Sequence, residues 1–133
     1  KGCFDEIMAF EIEPCLGLEV PTFIYDYPAS RAALAKLKSG NTSLAERFEL
    51  YIAGIELANG FSELIDSVEQ RERLETVIKN KREKLMPMPE KFLHDLTKMP
   101  PTAGIALGLD RLVMIFTNAS TIDRVVAFTP EEL

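Results

Sequence analysis

Two stretches of the sequence carry residue types that could do chemistry together. The first is Arg47-Phe48-Glu49-Leu50-Tyr51-Ile52 followed by Ala53-Gly54 and Ile55-Glu56-Leu57-Ala58-Asn59-Gly60-Phe61-Ser62-Glu63-Leu64. Alternation on both sides of Ala53-Gly54 predicts a β-hairpin with a two-residue loop. Ile52 then pairs with Ile55 and Tyr51 with Glu56. Glu49 shares a face with Tyr51, so Glu49 and Glu56 become diagonal neighbours, roughly 7–8 Å apart at the backbone. Two carboxylates so placed can reach one cation from both sides, and magnesium takes one or two carboxylates plus substrate phosphates. From spacing alone the plainer alternative is two solvated glutamates on an exposed sheet face. Asn59, Phe61 and Glu63 share a face by strict alternation, opposite to Glu56 unless a bulge intervenes, and Gly60 is a natural bulge residue. A carboxylate, an amide and an aromatic ring on one strand could recognise an ammonium group. Equally, Phe61 could be core and Asn59 the start of a turn.

The second stretch is Gly104-Ile105-Ala106-Leu107-Gly108-Leu109-Asp110-Arg111-Leu112. Small residues alternate along one face, which lets a flat ligand approach the backbone. A helix opens where this strand ends, and helix N-termini favour phosphate. Arg111 in its first turn could stack on a base or pair with a phosphate. The alternative is a glycine-relieved packing contact with Asp110 as a cap and Arg111 on the surface.

The elements that must position these residues are legible from punctuation. Asp5 to Glu13 reads as a short helix with Asp5 as N-cap and Pro14 as stop. Pro21 to Pro28 reads as a strand, Ala29 to Leu37 as a helical turn or two, and Lys38 to Ser43 as a loop. Asp66 with Glu69 predicts a capping box opening a charged helix to about Leu85, with Val68, Leu74, Val77, Ile78 and Leu85 as its narrow apolar stripe. Met86-Pro87-Met88-Pro89 breaks it. Glu90 to Met99 reads as another helix, Gly104 to Leu109 as a strand and Asp110 to Phe116 as a helix. A short helix near Ile122 and a strand over Val125 to Phe128 complete the reading. The pattern is α+β.

Composition sets limits. The 133 residues are 47% hydrophobic and 27% charged, an ordinary globular balance. No apolar run approaches the ~20 residues of a membrane span, and the first residues contain no signal-peptide core, so a cytoplasmic location is expected. Cys3 and Cys15 form no metal motif, His94 is the only histidine, and two buried or idle thiols are expected rather than zinc or a disulfide. A net charge of −6 leaves no basic footprint for nucleic acid.

Taken in order, these segments resemble the class II lysyl-tRNA synthetases. The stretch from Arg47 to Leu64 looks like the lysine-specific region of that family, and Pro100-Pro101-Thr102-Ala103-Gly104 through Asp110-Arg111-Leu112 looks like its motif 3, with Pro21 to Ile24 also fitting. The resemblance covers nearly the whole chain, 1–133, and implies part of a class II catalytic domain, an antiparallel sheet flanked by helices. It implies ATP and Mg2+ as ligands. Glu49 and Glu56 would bind the metal, Glu56, Leu57, Gly108 and Arg111 the ATP, and Asn59, Phe61, Glu63, Gly104 and Ala106 the lysine. Motifs 1 and 2, which build the homodimer interface and supply the α-phosphate arginine, are expected upstream of Lys1, so this segment alone is expected not to activate lysine, and its sheet is expected to be open where the missing strands belong. Synthetases normally carry glycine at Ala106. Alanine is similar to the truncated branch that transfers lysine or β-lysine to elongation factor P, and Tyr25 to Ser30 and Ala127 to Pro130 look like that branch too. Ser62 and Phe116-Thr117-Asn118 look like a synthetase instead. One methyl group at Ala106 can shift preference between lysine isomers by ~1–3 kcal/mol. The resemblance thus implies elongation factor P as acceptor, with tRNA as the alternative and a non-catalytic binding module as a third reading.

Overall fold

A computed structural model describes residues 2–80 and 87–129. Its centre is a five-stranded sheet. The strands are β1 (Thr22–Pro28), β2 (Leu37–Lys38), β3 (Asn41–Ile52), β4 (Ile55–Ser62) and β5 (Ala103–Leu107), in the order β1-β3-β4-β5 with β2 on β3. Helices α1 (Gly2–Ile7), α2 (Ser67–Asn80), α3 (Glu90–Leu96) and α4 (Leu109–Thr117) complete it, and the α+β class read from sequence holds.

The β3–β4 hairpin turns at Ala53 and Gly54, with φ of +53° and +74°. Positive φ at both central residues is the twist-matched turn for two-residue hairpins. A second hairpin was not legible. Lys38↔Asn41 and Leu37↔Ala45 pair antiparallel across Ser39-Gly40, with an irregularity between Leu37 and Lys38. The polar run Lys38 to Ser43, expected as a loop, is therefore a tight turn inside extended strands. Only its two central residues obey the loop composition rule.

By internal contacts the chain forms two units, residues 1–25, 48–60 and 105–133, and residues 26–47 and 61–104. In the first, the N-terminal segment straps the hairpin tip. A π-turn over Met8–Ile12 and a 3-10 turn over Glu13–Cys15 follow α1, so the helical run starts before Asp5, which is not its cap. The backbone N–H groups of Ala53 and Gly54 then donate to the carbonyls of Gly17 (2.7 Å) and Leu16 (2.8 Å). Tyr51, Leu57 and Ala58 are buried, and Phe23 meets Phe48 edge-on at 5.7 Å. Gly108 caps α4, displacing Asp110 from that role. Val125 to Phe128, expected as a strand, instead continues a 3-10 turn over Ile122–Arg124, with Val125 and Val126 donating back to the Ile122 carbonyl. That apolar run has no sheet neighbour among the described residues.

In the second unit Ala32, Ala35 and Ala45 form a core against which Leu37 and Phe61 pack. The expected helical turns after Ala29 reduce to one 3-10 turn over Ala29–Arg31. Asp66 caps α2 as expected, its Oδ1 accepting from Val68 N (2.9 Å) and Glu69 N (3.1 Å). Glu69 itself turns to Arg73, which also donates to the carbonyls of Ala33 and Ala35. The expected stripe holds in part: Leu74 and Ile78 are half-buried, Val68 and Val77 are exposed, and among the described residues of α2 Gln70 is the fully buried one. Residues 81–86, where the end of this helix was expected, lie outside the described residues.

The strap requires glycine at position 17. Its φ is +70°, and a Cβ would sit 2.4 Å from the Tyr51 carbonyl oxygen. Gly17→Ala is expected to destabilise the protein by about 2–3 kcal/mol in chemical denaturation. Gly40→Ala, where a Cβ meets nothing within 4 Å, should change stability by less than ~0.5 kcal/mol.

Candidate active site

Glu49 comes from the centre of β3 and is only 7% exposed. A carboxylate so far from water needs donors, and neighbouring side chains supply them. The Tyr51 hydroxyl donates to Oε2 at 2.7 Å and the Asn59 amide to Oε1 at 3.1 Å. Tyr51 lies two residues along the same strand, on the same face. Asn59 belongs to β4, and strict alternation would put it on the face opposite to Glu56. Its bond to Glu49 brings it to the carboxylate face, so the alternation of β4 is broken between Glu56 and Asn59.

Glu56 is held differently. Arg111, from the first turn of α4, donates from Nη1 to the Glu56 carbonyl at 2.7 Å and lies 3.5 Å from its Oε2. The N–H of Gly108 donates to the Leu57 carbonyl at 2.8 Å, which seats the end of the glycine strand against β4. A Cβ on Gly108 would stand 3.2 Å from the Arg111 Cδ, so the arginine stem runs close against the glycine backbone. Arg111 is exposed and packs against a glycine, as its plainer reading had it, and it also pairs with Glu56. Ala106 is exposed, as are its neighbours Ile105 and Leu107 on β5.

One participant has no motif to announce it. Glu13, in the strap, has its pKa raised from its ordinary value, first by burial and then by Glu49. Its hydrogen bond with Tyr51 opposes the rise, and Glu56 adds to it. Three acidic side chains therefore share one electrostatic neighbourhood. The signal in the sequence was only Glu13-Pro14, a helix terminator. Among the described residues no group of three or more carboxylate, thiol or imidazole side chains is arranged to hold a metal by itself. Two carboxylates short of a full ligand set fit magnesium, which completes its shell with water and substrate phosphates.

The second unit holds Phe61, Glu63 and Gly104. Phe61 is half-buried against the alanine core, as its plainer reading had it. Glu63 is joined to the chain around it through its N–H to the Thr102 carbonyl at 2.9 Å. A Cβ on Gly104 would fall 2.8 Å from Glu63 Oε1, so glycine there leaves room for the carboxylate. Glu63 also lines a cavity of about 310 Å3 together with Lys36, Glu46, Ser62, Thr102 and Ala103. Cys15 is a free thiol and exposed, the idle alternative of the expectation and not the buried one. No helix among the described residues is long and apolar enough to cross a membrane.

The family model of class II tRNA synthetases (D, K and N) matches residues 11–132. The chain belongs to that family. Curated relatives within reach are elongation factor P–(R)-β-lysine ligases. That of Hamiltonella defensa subsp. Acyrthosiphon pisum is 46% identical over 126 residues, covering 90% of this chain and 38% of that protein. That of Proteus mirabilis is 46% identical over 124 residues, covering 88% and 37%, and that of Edwardsiella ictaluri 42% over 127 residues, covering 92% and 39%. The chain thus spans about two-fifths of the length of the curated relatives it matches. In this class II chain the end of the glycine strand touches the hairpin at Gly108 and Leu57.

Glu13 gives a pH test. The folded protein holds this proton more tightly than the unfolded chain, so its contribution to stability is full below the ordinary carboxylate range and is lost as pH rises through the raised pKa. Glu13→Gln is expected to raise the melting temperature of the cation-free protein at neutral pH and to change it little in acid. An equal effect at both pH values would contradict the shared neighbourhood.

Proposed function

We propose that the protein containing this chain activates lysine or (R)-β-lysine with ATP and transfers the acyl group to a lysine side chain of elongation factor P. The observation that carries the reading is the seating of the glycine strand on the carboxylate hairpin through Gly108–Leu57 and Arg111–Glu56. In this reading it brings the carboxylate that takes the cation and the guanidinium that faces the nucleotide onto one patch. The relatives named above act, by their names, on elongation factor P with (R)-β-lysine, and Ala106 agrees with that branch.

In this reading the substrate carboxylate attacks the α-phosphorus of ATP, the bond to the bridging oxygen breaks, and pyrophosphate leaves. Magnesium, when bound, neutralises the phosphate charge. Glu49 and Glu56 hold it, and Glu56 and Leu57 line the nucleotide. Arg111 stacks on adenine while Gly108 lets the base lie close. Glu63 faces a substrate amine, with Asn59, Phe61, Gly104 and Ala106 completing that pocket. Positioning and charge neutralisation supply most of the rate. The acylated nucleotide is then attacked by the amine of the acceptor, releasing AMP. Upstream residues supply the rest of the phosphate grip and a homodimer interface, and the protein works in the cytoplasm. Exposed Ile105, Leu107 and Leu109 are surfaces that the remaining three-fifths of such a protein would cover.

The test is pyrophosphate exchange by the full-length protein, followed by acyl transfer. Exchange with (R)-β-lysine, then labelling of elongation factor P, is expected, and efficient charging of lysine tRNA would instead favour a synthetase. Arg111→Ala and Glu56→Ala should each cut exchange by about 10²–10³-fold; retained exchange would refute the roles given to them. Gly104→Ala, which crowds Glu63, should raise the KM for the amino acid more than the KM for ATP.

A further inference from the structure

The hydroxyl of Tyr51 is the least expected part of the site. Tyr51 is 1% exposed, and its ring could have filled the core as phenylalanine would. A buried phenol must find an acceptor; here it lies 2.7 Å from Oε2 of Glu49, the carboxylate on β3 that the proposed function uses, and Glu13 shares the same hydroxyl. Asn59 takes the other oxygen of the same group. The two donors thus fix the rotation of the carboxylate plane, which a single donor would leave free. The backbone behind Tyr51 is equally fixed, because Gly17 lies so close to its carbonyl that no side chain fits between them.

We infer that Tyr51 is a positioning residue for the cation: its hydroxyl, with the Asn59 amide opposite, pre-orients Glu49 to ligate the divalent metal that accompanies ATP. The inference rests on the reading of Glu49 as a metal ligand. Groups that orient a ligating side chain act on metal affinity through geometry and ligand basicity, and their loss costs about 10- to 100-fold. A phenol that only filled space would affect stability and leave cation affinity alone.

The test is Mn2+ affinity of the full-length protein with a non-hydrolysable ATP analogue, followed by the electron paramagnetic resonance of free Mn2+. Tyr51→Phe keeps the ring and is expected to weaken Mn2+ binding by about 10- to 100-fold. The Mg2+ concentration needed for half-maximal exchange should rise in parallel, and saturating Mg2+ should restore most of kcat. Glu49→Gln is expected to remove this binding altogether. If Glu49→Gln removes it and Tyr51→Phe leaves it unchanged, the positioning role is overturned and the site reading stands. If Glu49→Gln also leaves it unchanged, the site reading itself fails. Should Tyr51→Phe not fold, 3-fluorotyrosine at position 51 keeps the shape with a more acidic phenol. A changed Mn2+ affinity then supports the inference, and an unchanged one overturns it.

Discussion

A buried carboxylate with its donors built in is the constraint from which the rest of this structure follows. Glu49 is nearly out of water, and an unsatisfied charge there would cost several kcal/mol. Tyr51 must therefore stand two residues away on the same strand, and Asn59 must reach across from β4. That second demand bends the alternation of β4. The left-handed turn at Ala53-Gly54 sets where the return strand starts, and the strap through Leu16 and Gly17 pins that turn. The glycines at 17 and 54 are thus tied to the carboxylate they never touch.

The acidic neighbourhood is held by three different devices. Glu49 has neutral donors, Glu56 has Arg111, and Glu13 takes the strain as a raised pKa. Neutral donors orient a carboxylate and leave its charge in place, which suits a cation ligand. The arginine on Glu56 does double duty, because the same contact carries the glycine strand and α4 to the hairpin. An arrangement of this kind brings a divalent cation and a nucleotide to one patch without any dedicated metal cage.

Much of this was legible because it depends on local rules. The two-residue turn, the Asp66 cap and the glycine strand running into a helix each follow from a few consecutive residues. What escaped depended on distant partners. The turn at Ser39-Gly40 is hidden in polar residues whose strand character comes only from pairing with β3. Asn59 joins Glu49 through a break in alternation that no spacing specifies, although Gly60 hinted at one. Glu13 belongs to no motif and acquires meaning only when the strap folds over the hairpin; Tyr51 lies inside the hairpin motif, but nothing in it announced the bond to Glu49. Val125 to Phe128 looked like a strand by composition, but no neighbouring strand among the described residues receives it. The resemblance to the lysine-activating family linked the two motifs before any geometry did, and the Gly108–Leu57 and Arg111–Glu56 contacts supply the physical link.

The central claim is that the β3–β4 hairpin and the start of α4 form one cation and nucleotide site. A crystal structure of the full-length protein with Mg2+, a non-hydrolysable ATP analogue and (R)-β-lysine tests it most directly. The account predicts metal density between Glu49 and Glu56, adenine against the Arg111 guanidinium, and a substrate amine at Glu63. Metal and nucleotide bound elsewhere, with Glu49 still held by Tyr51 and Asn59, would contradict it.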